Sequence, residues 1–162
     1  MRHINTHTVL CIALGCMMMP VGSFAQNTPL ETLAQCKPGT SITVQTVQAQ
    51  LTALGLKKGK DGFYFAPDKQ KIAFMGGEIL AASVFAADGE TNLSVYLNKQ
   101  TGQQLAKQLR VTSIDEYANT DAPSYVKQTS KKTMLLVSSA AELDTGSITL
   151  PFQSAITCKV FP

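Results

Sequence analysis

The stretch from Lys60 to Asn98, KDGFYFAPDKQKIAFMGGEILAASVFAADGETNLSVYLN, alternates strand and turn signals closely enough to dictate an architecture. Phe63 and Phe65 precede Pro67-Asp68, Ile72 and Phe74 precede Gly76-Gly77, and the apolar run from Ile79 to Ala86 precedes Asp88-Gly89. Each dipeptide favours a tight reversal, so the stretch reads as four antiparallel strands in a meander. From Glu90 to Asn98, Leu93, Val95 and Leu97 alternate with Asn92, Ser94 and Tyr96, which predicts one buried face and one wetter face. The run before it is apolar on both faces, one of them largely alanine, and small residues let a covering helix approach closely.

A helix suited to that role precedes the meander. Val44, Val47, Leu51 and Leu54 recur at spacings of three and four, Gly55 can end the helix in a left-handed conformation, and Leu56 can fold back on the last turn. Lys57 and Lys58 then sit at its negative end. Thr101-Gly-Gln-Gln104 has the form of a capping box opening a short helix to Arg110. Ser113-Ile-Asp-Glu116 repeats the signature and predicts a further turn over 114–118. Strands are expected from Tyr125-Val126, over Lys132 to Ser138 and over Ser154 to Phe161. Pro151 among Ile148, Leu150 and Phe152 marks an edge position or a break in pairing. Gln26 to Pro38 reads as a loose arm with one turn around Leu30 to Gln35. The predicted fold class is α+β: an antiparallel sheet of about five to seven strands, with a central meander, packed on one face by two helices.

The first 25 residues read as an export signal. Arg2 and His3 form a basic start, Val9 to Met19 is an apolar run too short to span a bilayer, and Ser23-Phe24-Ala25 offers small residues at the cleavage positions. A lipid anchor at Cys16 is the competing reading; it is weakened by the apolar run continuing through Met17, Met18 and Met19. Removing 25 of the 162 residues leaves 137, which form a single exported domain over 26–162 with no composition break.

Processing changes the available chemistry. Both histidines, His3 and His7, leave, as do Cys11 and Cys16, so the mature chain keeps Cys36 and Cys158 and has no histidine or tryptophan. In an oxidising compartment, periplasmic or extracellular, these two cysteines are expected to form a disulfide joining the termini of the domain. Only Arg2 is lost among the charged residues, leaving 13 Lys and Arg against 11 Asp and Glu. That balance gives no electrostatic case for nucleic acid or an anionic membrane, and no transmembrane segment is expected once the signal is removed.

Without imidazole or a free thiol the chain lacks the commonest general base, the Ser-His and Cys-His nucleophiles and the usual zinc ligands. Its carboxylates, such as Asp61, Asp68, Asp88 and Asp144, lie in turns, without the spacing of a calcium loop. Ser124-Tyr-Val-Lys127 matches the Ser-x-x-Lys spacing of some acylating enzymes, but that motif needs a helix start, and here it follows Pro123 in strand-like sequence. No metal, cofactor or catalytic residue is therefore expected.

Surface recognition remains. Lys57, Lys58 and Lys60 form one cationic group, Lys131 and Lys132 with Lys127 another, and Asp115, Glu116 and Tyr117 with Tyr125 a mixed patch; a solvated face is the plainer reading of each. The functional expectation is a non-enzymatic periplasmic or secreted protein-binding domain, an inhibitor or immunity factor for another envelope or secreted protein. A small-ligand or glycan carrier is the alternative. A carboxylate-dependent cell-wall hydrolase is the third reading, and it requires two acids in one cleft.

Overall fold

Every helix among the described residues begins at a threonine, because a Thr hydroxyl can accept one of the backbone N–H groups left unpaired at a helix start. The structure is a computed structural model and describes residues 28–39, 41–68, 70–114 and 123–162. Thr28 opens α1 (Pro29–Ala34), Thr43 opens α2 (Val44–Ala53) and Thr101 opens α3 (Gly102–Leu109). In α1 and α3 the cap is reciprocal: the Glu31 and Gln104 side chains accept the backbone N–H of Thr28 and Thr101. The Thr-Pro-Leu-Glu signature of α1 is legible in the sequence, although Gln26 to Pro38 reads there as mostly loose chain. α2 ends as its sequence requires, with Gly55 at φ 84° and the Leu56 N–H bonded to the Leu51 carbonyl at 3.1 Å.

The strands are β1 (Lys57–Lys58), β2 (Tyr64–Phe65), β3 (Ala73–Phe74), β4 (Gly77–Ala87), β5 (Glu90–Asn98), β6 (Ser113–Ile114), β7 (Ser124–Ser130), β8 (Thr133–Asp144) and β9 (Thr149–Val160). They form one antiparallel sheet in the order β1-β2-β4-β5-β9-β8-β7-β6, with β3 also paired to β4. The α+β class is the expected one, but the described residues form nine strands rather than about five to seven and three helices rather than two, because short two-residue strands extend the sheet and α1 forms in the arm that reads as loose chain.

Within the Lys60 to Asn98 stretch the four strands exist, but their pairing is not a simple meander. β2 and β3 do not pair with each other; they lie end to end along β4, opposite Ala81-Ala82 and Gly77-Glu78 respectively. The segment after Pro67 therefore carries the chain along β4 instead of reversing it. The next reversal is shifted by one residue from the sequence expectation. Met75 and Gly76 are its centre, at φ 48° and 87°, and Gly77 already belongs to β4. Asp88-Gly89 is the expected two-residue hairpin, with both residues at positive φ and Ala87 opposite Glu90.

The three helices cover one face. Leu30 and Ala34 of α1, Val47 and Leu51 of α2, and Leu105 and Ala106 of α3 join Leu93, Val95, Leu97, Val137, Ile156 and Cys158 in one core. Each such Leu or Ile contributes about 1.5–3 kcal/mol by burial, so the helical layer is held by its apolar stripe more than by helix propensity. A smaller cluster lies on the other face, where Ala81, Leu143, Phe152 and Ala155 are buried beneath Phe63, Phe65 and Tyr96. Tyr96 and Phe152 meet edge to face at 5.3 Å.

That second face of β5 is drier than its polar residues predict. Asn92 and Ser94 are only 8% and 7% exposed, because β5 is flanked by β4 and β9 throughout this segment. Ser94 satisfies its hydroxyl against Thr157 at 2.9 Å. β9 is continuous through Pro151, which pairs with Glu142 beyond the point where β5 contacts end at Ser154. Proline thus occupies a segment with one neighbouring strand, where its missing N–H costs no ladder bond. Ser113-Ile114 is strand, not the first turn of a helix, and pairs with Val126 and Tyr125. The expected signal over 1–25 and the patch residues Asp115, Glu116 and Tyr117 lie outside the described residues.

Candidate functional site

Cys36 and Cys158 are bonded, with their Cα atoms 5.2 Å apart although they lie 122 positions apart in the sequence. Cys158 faces Leu93 of β5 on one side and Leu135 of β8 on the other, and Leu135 in turn faces Lys127 of β7. The disulfide therefore pins the segment after α1 across the β9-β8-β7 part of the sheet. Lys37 and Pro38, the next two residues, become one wall of a groove whose opposite wall is β7.

The groove has a volume of about 690 Å³. Its remaining wall is the end of α3, where Arg110 adopts the left-handed conformation at φ 56° and Val111 bonds back to the Ala106 carbonyl. Non-glycine residues rarely take this conformation. Here it turns the chain out of α3 while Val111 returns to the core. Lys37, Arg110 and Lys127 line the groove, interleaved with Gln35, Gln108 and Gln128, over an apolar floor that includes Leu109 and Leu135. No carboxylate is among the lining residues. The ion pair found among the described residues, Lys99 with Glu78, lies elsewhere.

Three exposed cations around an apolar floor, with glutamines that both donate and accept, suit an anionic occupant with some apolar surface. Lysine and arginine on an open rim gain little from any single exposed carboxylate, about 0.2–1 kcal/mol each, so such a rim can hold an anion only through several contacts together.

The predicted surface residues are distributed differently. Lys57 and Lys58 form β1 and Lys60 follows it, all exposed at one edge of the sheet. Lys131 and Lys132 form the turn between β7 and β8, near the opposite edge. The two lysine groups thus do not form one surface. Only Lys127, grouped with the second in sequence, enters the groove. Lys37 and Arg110 were not singled out from the sequence, and the one available pointer was the adjacency of Lys37 to Cys36. Ser124 and Lys127 lie three residues apart in one strand, so their side chains project from opposite faces and do not converge.

Among the described residues, Tyr96 is the titratable group whose affinity for its proton is clearly altered: burial raises its pKa above the ordinary 10.0, partly offset by the hydroxyls of Ser94 and Ser83. It belongs to the aromatic cluster rather than to the groove. A second, smaller depression of about 420 Å³ is lined by Thr101, Gly102, Tyr125 and Ser139, among others. Among the described residues no three His, Cys, Asp or Glu side chains gather as metal ligands, and no helix is long and apolar enough to cross a membrane. Comparison of the chain with protein-family models, with curated proteins and with solved structures gave no match.

Proposed function

We propose that this chain is a non-enzymatic, exported protein-binding domain of the inhibitor or immunity type, which engages an acidic segment of another envelope or secreted protein through the groove formed by Lys37, Arg110 and Lys127. The observation that carries the reading is the convergence of these three cations, from three separate parts of the chain, over Leu109 and Leu135 with no lining carboxylate. The disulfide is compatible with an oxidising compartment. It also supports a recognition role, because a wall fixed before binding loses little conformational freedom on binding.

The groove's volume also falls within the range of about 300–1,000 Å³ typical of small-ligand sites, which favours an anionic carrier as the second reading. The two separate in one experiment. A Lys37→Glu, Arg110→Glu, Lys127→Glu variant is compared with the wild type for capture of envelope proteins and, by isotope-edited NMR, for binding of a glutamate-rich peptide and of small dicarboxylates. The protein-binding reading expects a partner retained by the wild type, lost from the variant and released by salt, with peptide shifts confined to the groove. Equal capture by both proteins, or saturable binding of small acids without peptide binding, overturns it.

A further inference from the structure

β4 is edged unevenly. Gly77 and Glu78 are covered by β3, and Ala81 and Ala82 by β2, but from Ser83 to Ala87 the strand pairs with β5 alone among the described residues. No other backbone hydrogen bond among the described residues reaches this segment from its open side. A strand edge of this kind presents a row of unpaired N–H and C=O groups, and sheets normally blunt such edges with charge, proline or brevity. The β1 edge of this sheet follows that rule: β1 is two residues long and consists of exposed Lys57 and Lys58. Ser83-Val84-Phe85-Ala86-Ala87 does not follow it. The segment has no charge and no proline, and Phe85 is 52% exposed.

We propose that Ser83–Ala87 is a self-association edge, through which two copies of this chain pair antiparallel about a two-fold axis and continue one sheet into the next. The window has a natural centre. It is closed at one end by β2, which occupies the position beside Ala82, and at the other by the Asp88-Gly89 hairpin. An isologous pair centred on Phe85 places Ser83 opposite Ala87 of the second copy, Val84 opposite Ala86, and Phe85 opposite itself. Like therefore meets like without repulsion, since the nearest acids, Asp88 and Glu90, lie beyond the paired window. The two phenyl rings then meet on the face away from the helices, where non-polar surface is now open to water. A five-residue strand spans only roughly 17 Å, and so short a contact buries less than the ~1,200 Å² of a stable interface. The dimer is accordingly weak and dependent on concentration.

The test is sedimentation velocity on the oxidised protein from about 10 to 500 μM, with Phe85→Lys and Ala87→Lys, both at exposed positions, and with Ile148→Lys as a control at another exposed apolar residue. Far-UV circular dichroism verifies that each variant is folded. The expected result is a monomer–dimer equilibrium in the wild type and in Ile148→Lys, weakened at least tenfold in each edge variant, with a disulfide-linked dimer forming in Phe85→Cys. Amide exchange over Ser83–Ala87 should slow as concentration rises. A wild type that stays monomeric throughout, or a dimer that the edge lysines do not weaken, overturns the proposal. So does protection of these amides at all concentrations, which would place another segment of this chain on the edge.

Discussion

The backbone N–H of Met75 donates to Glu31 Oε1 at 2.8 Å, joining the first turn of α1 to the β3–β4 reversal 44 residues further along the chain. The other carboxylate oxygen accepts the Thr28 N–H at 2.9 Å, so one side chain caps a helix and clamps a hairpin at once. α1 has only six residues and cannot persist by itself. Its place depends on this clamp, on the disulfide and on burial of Leu30 and Ala34.

Replacing Glu31 by Ala leaves two backbone donors without that acceptor, each in a partly buried setting. The expected loss is about 2–3 kcal/mol, from a cap and a charge-assisted bond lost together. Urea denaturation at neutral pH should show a lower midpoint with an unchanged slope. A variant as stable as the wild type would show that the clamp contributes nothing net.

The Cys36–Cys158 bond closes a loop of 122 residues, for which chain entropy predicts a stabilisation of roughly 5 kcal/mol. The Cys36→Ala, Cys158→Ala double variant is expected to lose most of this, and to lose the proposed peptide binding in the groove at temperatures where the sheet still persists, because Lys37 is no longer anchored. Thermal melts of oxidised and reduced wild-type protein, read beside peptide binding, check both parts.

Gly102 begins α3 hard against β8. A Cβ built there would lie 2.7 Å from Ser139 Cα and 2.9 Å from the Ser138 carbonyl oxygen, both backbone atoms that cannot swing aside. Alanine is the better helix former by up to ~1 kcal/mol, whereas forcing the backbones apart costs about 1–3 kcal/mol. Gly102→Ala should therefore be destabilised, visible as a lower melting temperature. Stabilisation would mean that α3 shifts freely on the sheet.

Tyr96 predicts an alkaline limit. Its pKa is raised in the fold chiefly by burial, so above the ordinary phenol value the unfolded chain releases its proton more readily than the folded one. The stabilisation from keeping this phenol neutral is complete below about pH 10 and is lost as pH rises through the folded-state value. Tyr96→Phe should accordingly lose less stability than the wild type as pH rises above 10, with the difference between the two curves isolating the contribution of Tyr96. Parallel curves would count against the burial argument.

Legibility in the sequence followed the range of the interaction. Thr43, Gly55 and Leu56 specify the ends of α2 from within about a dozen residues, and Thr101 with Gln104 specifies the start of α3; these features stand as expected. Asp88-Gly89 likewise fixes its hairpin because both residues tolerate positive φ. Where the signal is local but ambiguous, the sequence admits more than one geometry. Met75-Gly76-Gly77 offers two overlapping reversals, and only the pairing of Phe74 with Gly77 selects the first. Asn92 and Ser94 do lie on the wetter face of β5, as their alternation with Leu93, Val95 and Leu97 predicts, but at 8% and 7% exposed they are nearly dry, because burial of a central strand is set by its neighbours as well as by its own alternation.

The amino-acid order by itself determined the α+β class and the sites of capping and reversal, since each follows from backbone stereochemistry or apolar periodicity over short spans; the Cys36–Cys158 bond was legible only as an expectation of an oxidising compartment, and the structure pairs the two cysteines. Tertiary structure alone decided that Lys37, Arg110 and Lys127 share a groove and that Ser83–Ala87 is left as an open edge. Both outcomes depend on which strands become neighbours, a choice made by the summed burial of one sheet face beneath three helices and invisible in any single window of the chain.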